Sequence, residues 1–105
     1  MDKFLKNINH EEATDGQVVS KTLAQNKYVS ITVFAFSKGE EISTHESDGD
    51  ALVTVLEGTG KFIVDGKEYV LNAGESVVMP ARKPHSVHAI ESFKMQLTVV
   101  FPLER

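Results

Sequence analysis

Apolar and polar residues alternate along most of the chain with a period of two, the spacing of a half-buried strand rather than of a helix. The clearest case is the run 93–101, where Phe93, Met95, Leu97, Val99 and Phe101 fall on one face. Lys94, Gln96 and Thr98 lie among those opposite. A second run, YVSITVFAF over 28–36, is rich in β-branched and aromatic residues and bounded by Asn26-Lys27 and Lys38-Gly39. Such composition and such boundaries predict a strand. Shorter runs at 18–23, 51–56, 61–64, 67–71 and 76–79 complete the set.

Turn signals separate these runs. Asp65-Gly66 between 61–64 and 67–71 predicts a tight hairpin, because both central residues must accept positive φ. Pro80 and Pro84 keep the segment between them out of any helix. Short strands with close turn signals and no 3.6-period stretch predict an all-β sandwich or barrel.

The division along the chain is simple. Residues 1–16, ending at Asp15-Gly16, read as a polar lead-in with a helical turn at 2–7, and residues 17–105 as one β-barrel domain. A length of 105 residues is one domain's worth. Hydrophobic residues at 41% and charged residues at 25% are ordinary globular usage, which sets disorder and fibrous repeats aside.

Charge removes two classes of partner. The net charge is −4, and the 11 basic residues are scattered, with no run longer than Arg82-Lys83. A nucleic-acid track needs clustered cations, and a membrane surface needs a polybasic patch, so neither partner is expected. With no cysteine, disulfides, thiolate metal sites and a cysteine nucleophile are excluded. The start of the chain lacks the apolar stretch of a signal peptide, and no segment approaches the ~20 apolar residues of a spanning helix. A soluble cytoplasmic protein is the expectation.

The candidate chemistry rests on four histidines, His10, His45, His85 and His88. His10 lies beside Glu11 and Glu12 and reads as a solvated residue. If the stretch from His85 is extended, His85, Val87 and Ala89 share a face and His88 points away. His45 and His85 are therefore considered together. Imidazole is the commonest metal ligand and a good acid or base near neutral pH. A metal site normally takes three protein ligands or more, so the plain alternative is two partly buried histidines bonded to backbone.

Two stretches carry a resemblance. Gly39, five residues, His45 and then Gly58 is similar to the first motif of the cupin superfamily. Gly74, five residues, then Pro80-Ala81-Arg82-Lys83-Pro84-His85 is similar to the second. The chain thus resembles small stand-alone bacterial cupins of unassigned activity, which implies a single cupin-type barrel (a double-stranded β-helix, or jelly roll). Cupins hold a divalent metal with His-x-His and a glutamate from the first motif and a histidine from the second. Carried over, His45 and His85 are the metal ligands, Ser47 stands at the other histidine position and Ala51 at the glutamate position. Arg82 takes a position where the second motif has glycine. Of the acids that follow His45, Glu46, Asp48 and Asp50, strand parity turns each away from His45 and Ser47.

Three functional readings follow. The first is a small-molecule-binding module with a depleted metal site, its ligand held by His45, Ser47 and His85 against apolar walls that include Ala51 and Met95. Its cofactor is one weakly bound divalent metal (zinc, manganese, iron or nickel), or none. The second is a metal-dependent isomerase or oxygenase acting on a small organic acid or sugar. The third is a packed, non-catalytic relic serving as a homodimer. A homodimer is expected on other grounds as well, because strand edges invite pairing, and the run 18–23 and the outer face of 28–36 are more apolar than a free surface needs. His85 is expected on the rim of the pocket, so that His85→Ala leaves the fold intact.

Overall fold

The computed structural model describes residues 18–103 of the chain. The lead-in 1–16 and His10 lie outside the described residues. Among the described residues nine strands follow one another: β1 (Val19–Gln25), β2 (Val29–Phe36), β3 (Glu41–His45), β4 (Asp50–Glu57), β5 (Thr59–Val64), β6 (Lys67–Asn72), β7 (Ser76–Met79), β8 (His85–Ala89) and β9 (Phe93–Val100). They form a five-stranded sheet ordered β1-β2-β9-β4-β7 and a four-stranded sheet ordered β3-β8-β5-β6. The strand pairings within both are antiparallel. This is the all-β class that the alternating runs predict, in the jelly-roll arrangement that the resemblance implies. Among the described residues, no helix is long and apolar enough to cross a membrane.

The predicted hairpin forms where the Asp-Gly pair stands. Asp65 and Gly66 have φ of 50° and 81°, and Val64 pairs with Lys67 across the turn. Two strands lie outside the predicted runs, β3 and β8, which pair with each other. The β3 sequence Glu41-Ile42-Ser43-Thr44-His45 has a single large apolar residue, and it is a strand because β8 pairs with it.

The core lies between the two sheets and takes alternate residues from most of the strands, β1 excepted. Phe36, Val53, Val55, Phe62, Val87, Phe93 and Met95 are the fully buried members. Phe93 stacks on Phe36 with ring centroids 4.6 Å apart and meets Phe62 edge-on at 6.1 Å. Gly60 makes room for this arrangement, since a Cβ there would sit 2.8 Å from the Phe93 ring.

The outer face of the five-stranded sheet departs from simple alternation. Val33 and Ala35 point away from the core with Val19, Leu23 and Leu56, yet both are fully buried. Beside them Lys94 is only 3% exposed, with its Nζ 3.5 Å from Glu57. The apolar outer face of β2, expected to be free for a dimer contact, is therefore closed at Val33 and Ala35 within one chain.

Candidate functional site

The site begins with the pairing of β3 and β8. Glu41 lies opposite His88, Ile42 opposite Val87, and His45 opposite His85. Between the last two rungs β3 has two residues, Ser43 and Thr44, where β8 has only Ser86. This β-bulge resets the phase of the strand. Ile42 packs on the core, so strict alternation from it would turn Thr44 inward and His45 outward. With the extra residue, His45 faces His85 instead, a typical use of a bulge to re-aim a side chain.

The two rings meet edge to face, with centroids 4.2 Å apart and planes at 75°. Their Nε2 atoms are 3.0 Å apart. Each ring is held from behind in the same way. His45 Nδ1 is 2.9 Å from the carbonyl of Ser43, and His85 Nδ1 is 3.1 Å from the carbonyl of Lys83. A carbonyl oxygen only accepts, so both Nδ1 atoms carry hydrogen and donate. In a neutral pair each Nε2 then presents a lone pair to the other.

Such a pair readily holds one positive charge between its nitrogens, but not two. The pKa of His85 is lowered from its ordinary value, first because burial penalises the imidazolium and second because charge on His45 opposes it. Its bond to the Lys83 carbonyl and the charge of Glu46 act the other way without reversing the shift. A lowered folded-state pKa means that the unfolded chain binds more protons as pH falls. His85 therefore costs stability as pH drops below about 6.5, its ordinary value, and the loss levels off below the folded value. Urea denaturation between pH 8 and pH 5 should show a slope, at most about 1.4 kcal/mol per pH unit, that His85→Asn abolishes. An unchanged slope in the variant would assign the effect elsewhere.

The remaining sequence candidates divide. His85 is 2% exposed, so it is an interior group and not a rim residue; the exposed member is His45. The rim placement is corrected accordingly, and because His85→Ala removes packed volume it should lower stability even where the fold stays intact. Ser47 lies two residues beyond His45, with its hydroxyl donating to the Gly49 carbonyl at 2.8 Å. Ala51 is buried at the same end of the barrel, opposite Met79 and Val99. Met95 is buried four residues back along β9 from Val99, roughly 13 Å along the strand, among the core residues. The structure thus brings together His45 and His85, with Ser47 and Ala51 nearby, and leaves Met95 in the core.

His88 takes the outer face, as its parity indicates. Its Nδ1 is 3.0 Å from Glu41 and its Nε2 is 3.3 Å from the Ser86 hydroxyl. Carboxylate, imidazole and hydroxyl in a row suggest a nucleophilic relay. However, Ser86 is 4% exposed, so no substrate carbonyl reaches the oxygen. The row is a surface ladder.

The bulge was not visible in the sequence, and Glu46, which strand parity turned away from the site, is close enough for its charge to act on His85. Among the described residues, no group of three or more His, Cys, Asp or Glu is placed to hold a metal ion.

Comparison with known proteins gives a consistent picture. A family model described as a Cupin domain matches residues 32–101. No curated protein matches. Among solved structures, a conserved protein of unknown function from Streptococcus pyogenes is 41% identical, with a TM-score of 0.80 over 91% of this chain and 92% of that one. A cupin superfamily protein from Desulfitobacterium hafniense is 32% identical, with a TM-score of 0.82 over 86% and 83%. A Cupin 2 conserved barrel domain protein from Leptotrichia buccalis is 43% identical, with a TM-score of 0.84 over 90% of this chain but 45% of that one.

Proposed function

The chain belongs to the Cupin domain family, and from that premise we propose that it binds a small molecule at the mouth of its barrel through a divalent cation gripped by His45 and His85. The observation that carries this reading is the 3.0 Å approach of two Nε2 atoms whose opposite nitrogens both donate to backbone. Two facing lone pairs call for an electron-pair acceptor between them. Nitrogens about 2.0–2.1 Å from one ion stand roughly 3.0–3.4 Å apart as neighbouring ligands, so the pair fits with little movement. The backbone carbonyls behind the rings fix tautomer and orientation, as outer partners of metal-bound histidines do.

Two imidazoles suit zinc, iron, copper or nickel, and they hold such an ion less tightly than three or four ligands would. Ser47 and Ala51 contribute no strong ligand, which leaves room for the oxygens of a small organic acid or sugar acid. A bound ion would polarise those oxygens as a Lewis acid. The protein's share is to keep His85 dry, present His45 at the rim and, by engaging both Nδ1 atoms with backbone carbonyls, aim the two Nε2 atoms at each other. The cation reading is favoured over a bare imidazole pair binding an anion, because that would need both Nε2 atoms protonated and the lowered pKa of His85 opposes it.

The test is elemental analysis and titration of untagged protein with zinc, manganese, iron and nickel. One ion per chain is expected, and it should be lost in His45→Ala with little change in melting temperature, because His45 is exposed. Protein that stays free of metal with all four ions would leave a shared proton between the rings and sink the cation reading.

The proposed macromolecular partner is a second copy of the chain. Strands β1 and β7 end the five-stranded sheet, and edges of this kind pair with one another unless covered. Next to the β7 edge, exposed Leu52 and Val78 face each other across β4 and β7 on the outer surface. Sedimentation should give a dimer mass that Leu52→Glu shifts toward monomer. A monomer at every concentration would remove this proposal.

A further inference from the structure

Beside the mouth, the β7–β8 connection contains a residue in a backbone conformation it does not favour. Among the described residues only Asp65 and Arg82 have positive φ without being glycine. Asp65 belongs to the hairpin turn, where aspartate is well suited. Arg82, at φ 61°, has no such excuse: its long side chain gains nothing from the left-handed region, and glycine would occupy it without strain.

The conformation is imposed by the neighbouring loop. The Arg82 N–H donates to the Ser47 carbonyl at 2.8 Å, and the Ala81 N–H donates to the Asp50 carboxylate at 2.8 Å. Both bonds tie the connection to the loop that follows His45, three residues before His85. Arg82 thereby stands exposed on a groove of about 490 Å³, whose apolar wall is Val100, Phe101 and Leu103. Its guanidinium forms no ion pair within the described chain. Asp48 and Asp50 line the same groove, and Asp50 is already engaged by Ala81. The groove adjoins the loop that follows His45 but is lined by neither histidine, and Arg82 is the one cation among its lining residues.

We propose that Arg82 is the specificity-determining residue of this mouth, recognising the carboxylate or phosphate of the small molecule, an inference that rests on ligand binding at His45 and His85. The planar fork of a guanidinium matches either group with two parallel hydrogen bonds. The strained backbone is retained because glycine, though easier to accommodate, supplies no cation.

Arg82→Gly separates recognition from architecture, since it relieves the strain and leaves the loop–loop bonds to backbone atoms intact. The probes are malonate, citrate and inorganic phosphate, titrated calorimetrically into nickel-loaded and metal-free protein. The expected result is binding of at least one acid by the unaltered chain and at least tenfold weaker binding by Arg82→Gly. The variant should keep its nickel affinity and an equal or higher melting temperature, and Arg82→Lys should fall between the two. A preference for carboxylates or for phosphate identifies the acid class. Undiminished acid binding by Arg82→Gly overturns the proposal, as does a fall in its melting temperature. Nickel binding with no acid binding by the unaltered chain overturns it too, while sparing the histidine reading. Acid binding by metal-free protein that Arg82→Gly loses supports Arg82 even where the cation reading has failed.

Discussion

Gly58→Ala is expected to lower the stability of the barrel by about 3 kcal/mol, adding left-handed strain of roughly 1–2 kcal/mol to an overpacking cost of about 1–3 kcal/mol. Gly58 links β4 to β5 with φ of 77°, where an L side chain is strained whatever the space around it. The space is also missing. A Cβ would lie 2.1 Å from the Ser92 carbonyl oxygen and 2.7 Å from the Cβ of Phe93. The oxygen is backbone, so no rotamer change relieves the clash, and the turn from β4 to β5 must separate from the start of β9. Urea denaturation measures the effect directly. A loss under about 1 kcal/mol would show that this turn shifts freely against Ser92, contrary to its packing.

Phe93→Ala should cost still more, about 3–5 kcal/mol, the range for emptying a large aromatic site in a core. Phe93 is fully buried and is the ring through which Phe36 and Phe62 meet. Neither of its partners can collapse into the space without breaking its own packing. Against a total of about 5–15 kcal/mol for a typical domain, this is enough to leave a measurable unfolded population. Divalent-ion affinity of the molecules that remain folded should not change. Phe93 opens β9, whereas Ala51, near the histidines, pairs with Val99 some six residues on, roughly 20 Å along the strand. A parallel loss of ion affinity in folded protein would show that the two ends of the barrel are mechanically coupled. The atoms that a Cβ at Gly58 would meet, the Ser92 oxygen and the Cα and Cβ of residue 93, all remain in Phe93→Ala, so the double variant should lose close to the sum of the two.

The parts of this fold that can be read from the sequence are those where one face of a strand is apolar. β9 and β2 announce themselves by alternation or by β-branched composition, and the β5–β6 hairpin by Asp65-Gly66. β3 does not, because Ile42 is its only large apolar residue and its ladder is supplied by β8. Lys94 misleads in the opposite sense: it alternates out of the core, as its charge suggests, and is buried nonetheless.

The site was legible only in part, and for a similar reason. His45 and His85 come together from the two motifs in order, not from spacing, since they are 40 positions apart. That they would touch depends on a bulge, and a bulge has no side-chain signature when it consists of Ser43 and Thr44. Counting by twos from Ile42 points His45 at solvent. The burial of His85 was missed because Pro80 and Pro84 mark a loop, while the strand starts immediately after the second proline. At Arg82 the departure from glycine was visible, but its consequence, a cation held in left-handed backbone, was not.

The two carbonyls behind the rings have a bearing on how such a site changes through descent. Each imidazole takes its orientation from the main chain two positions earlier, at Ser43 and at Lys83. Every amino acid carries that oxygen, proline included, so these two positions are free to drift through almost any side chain while the tautomers stay fixed. Selection acting on the histidines would leave no trace at the residues that aim them, and an aligned set of descendants would show two invariant rings standing on variable ground. The information that orients the pair is inherited with the path of the backbone, and it outlasts the spelling of the sequence there.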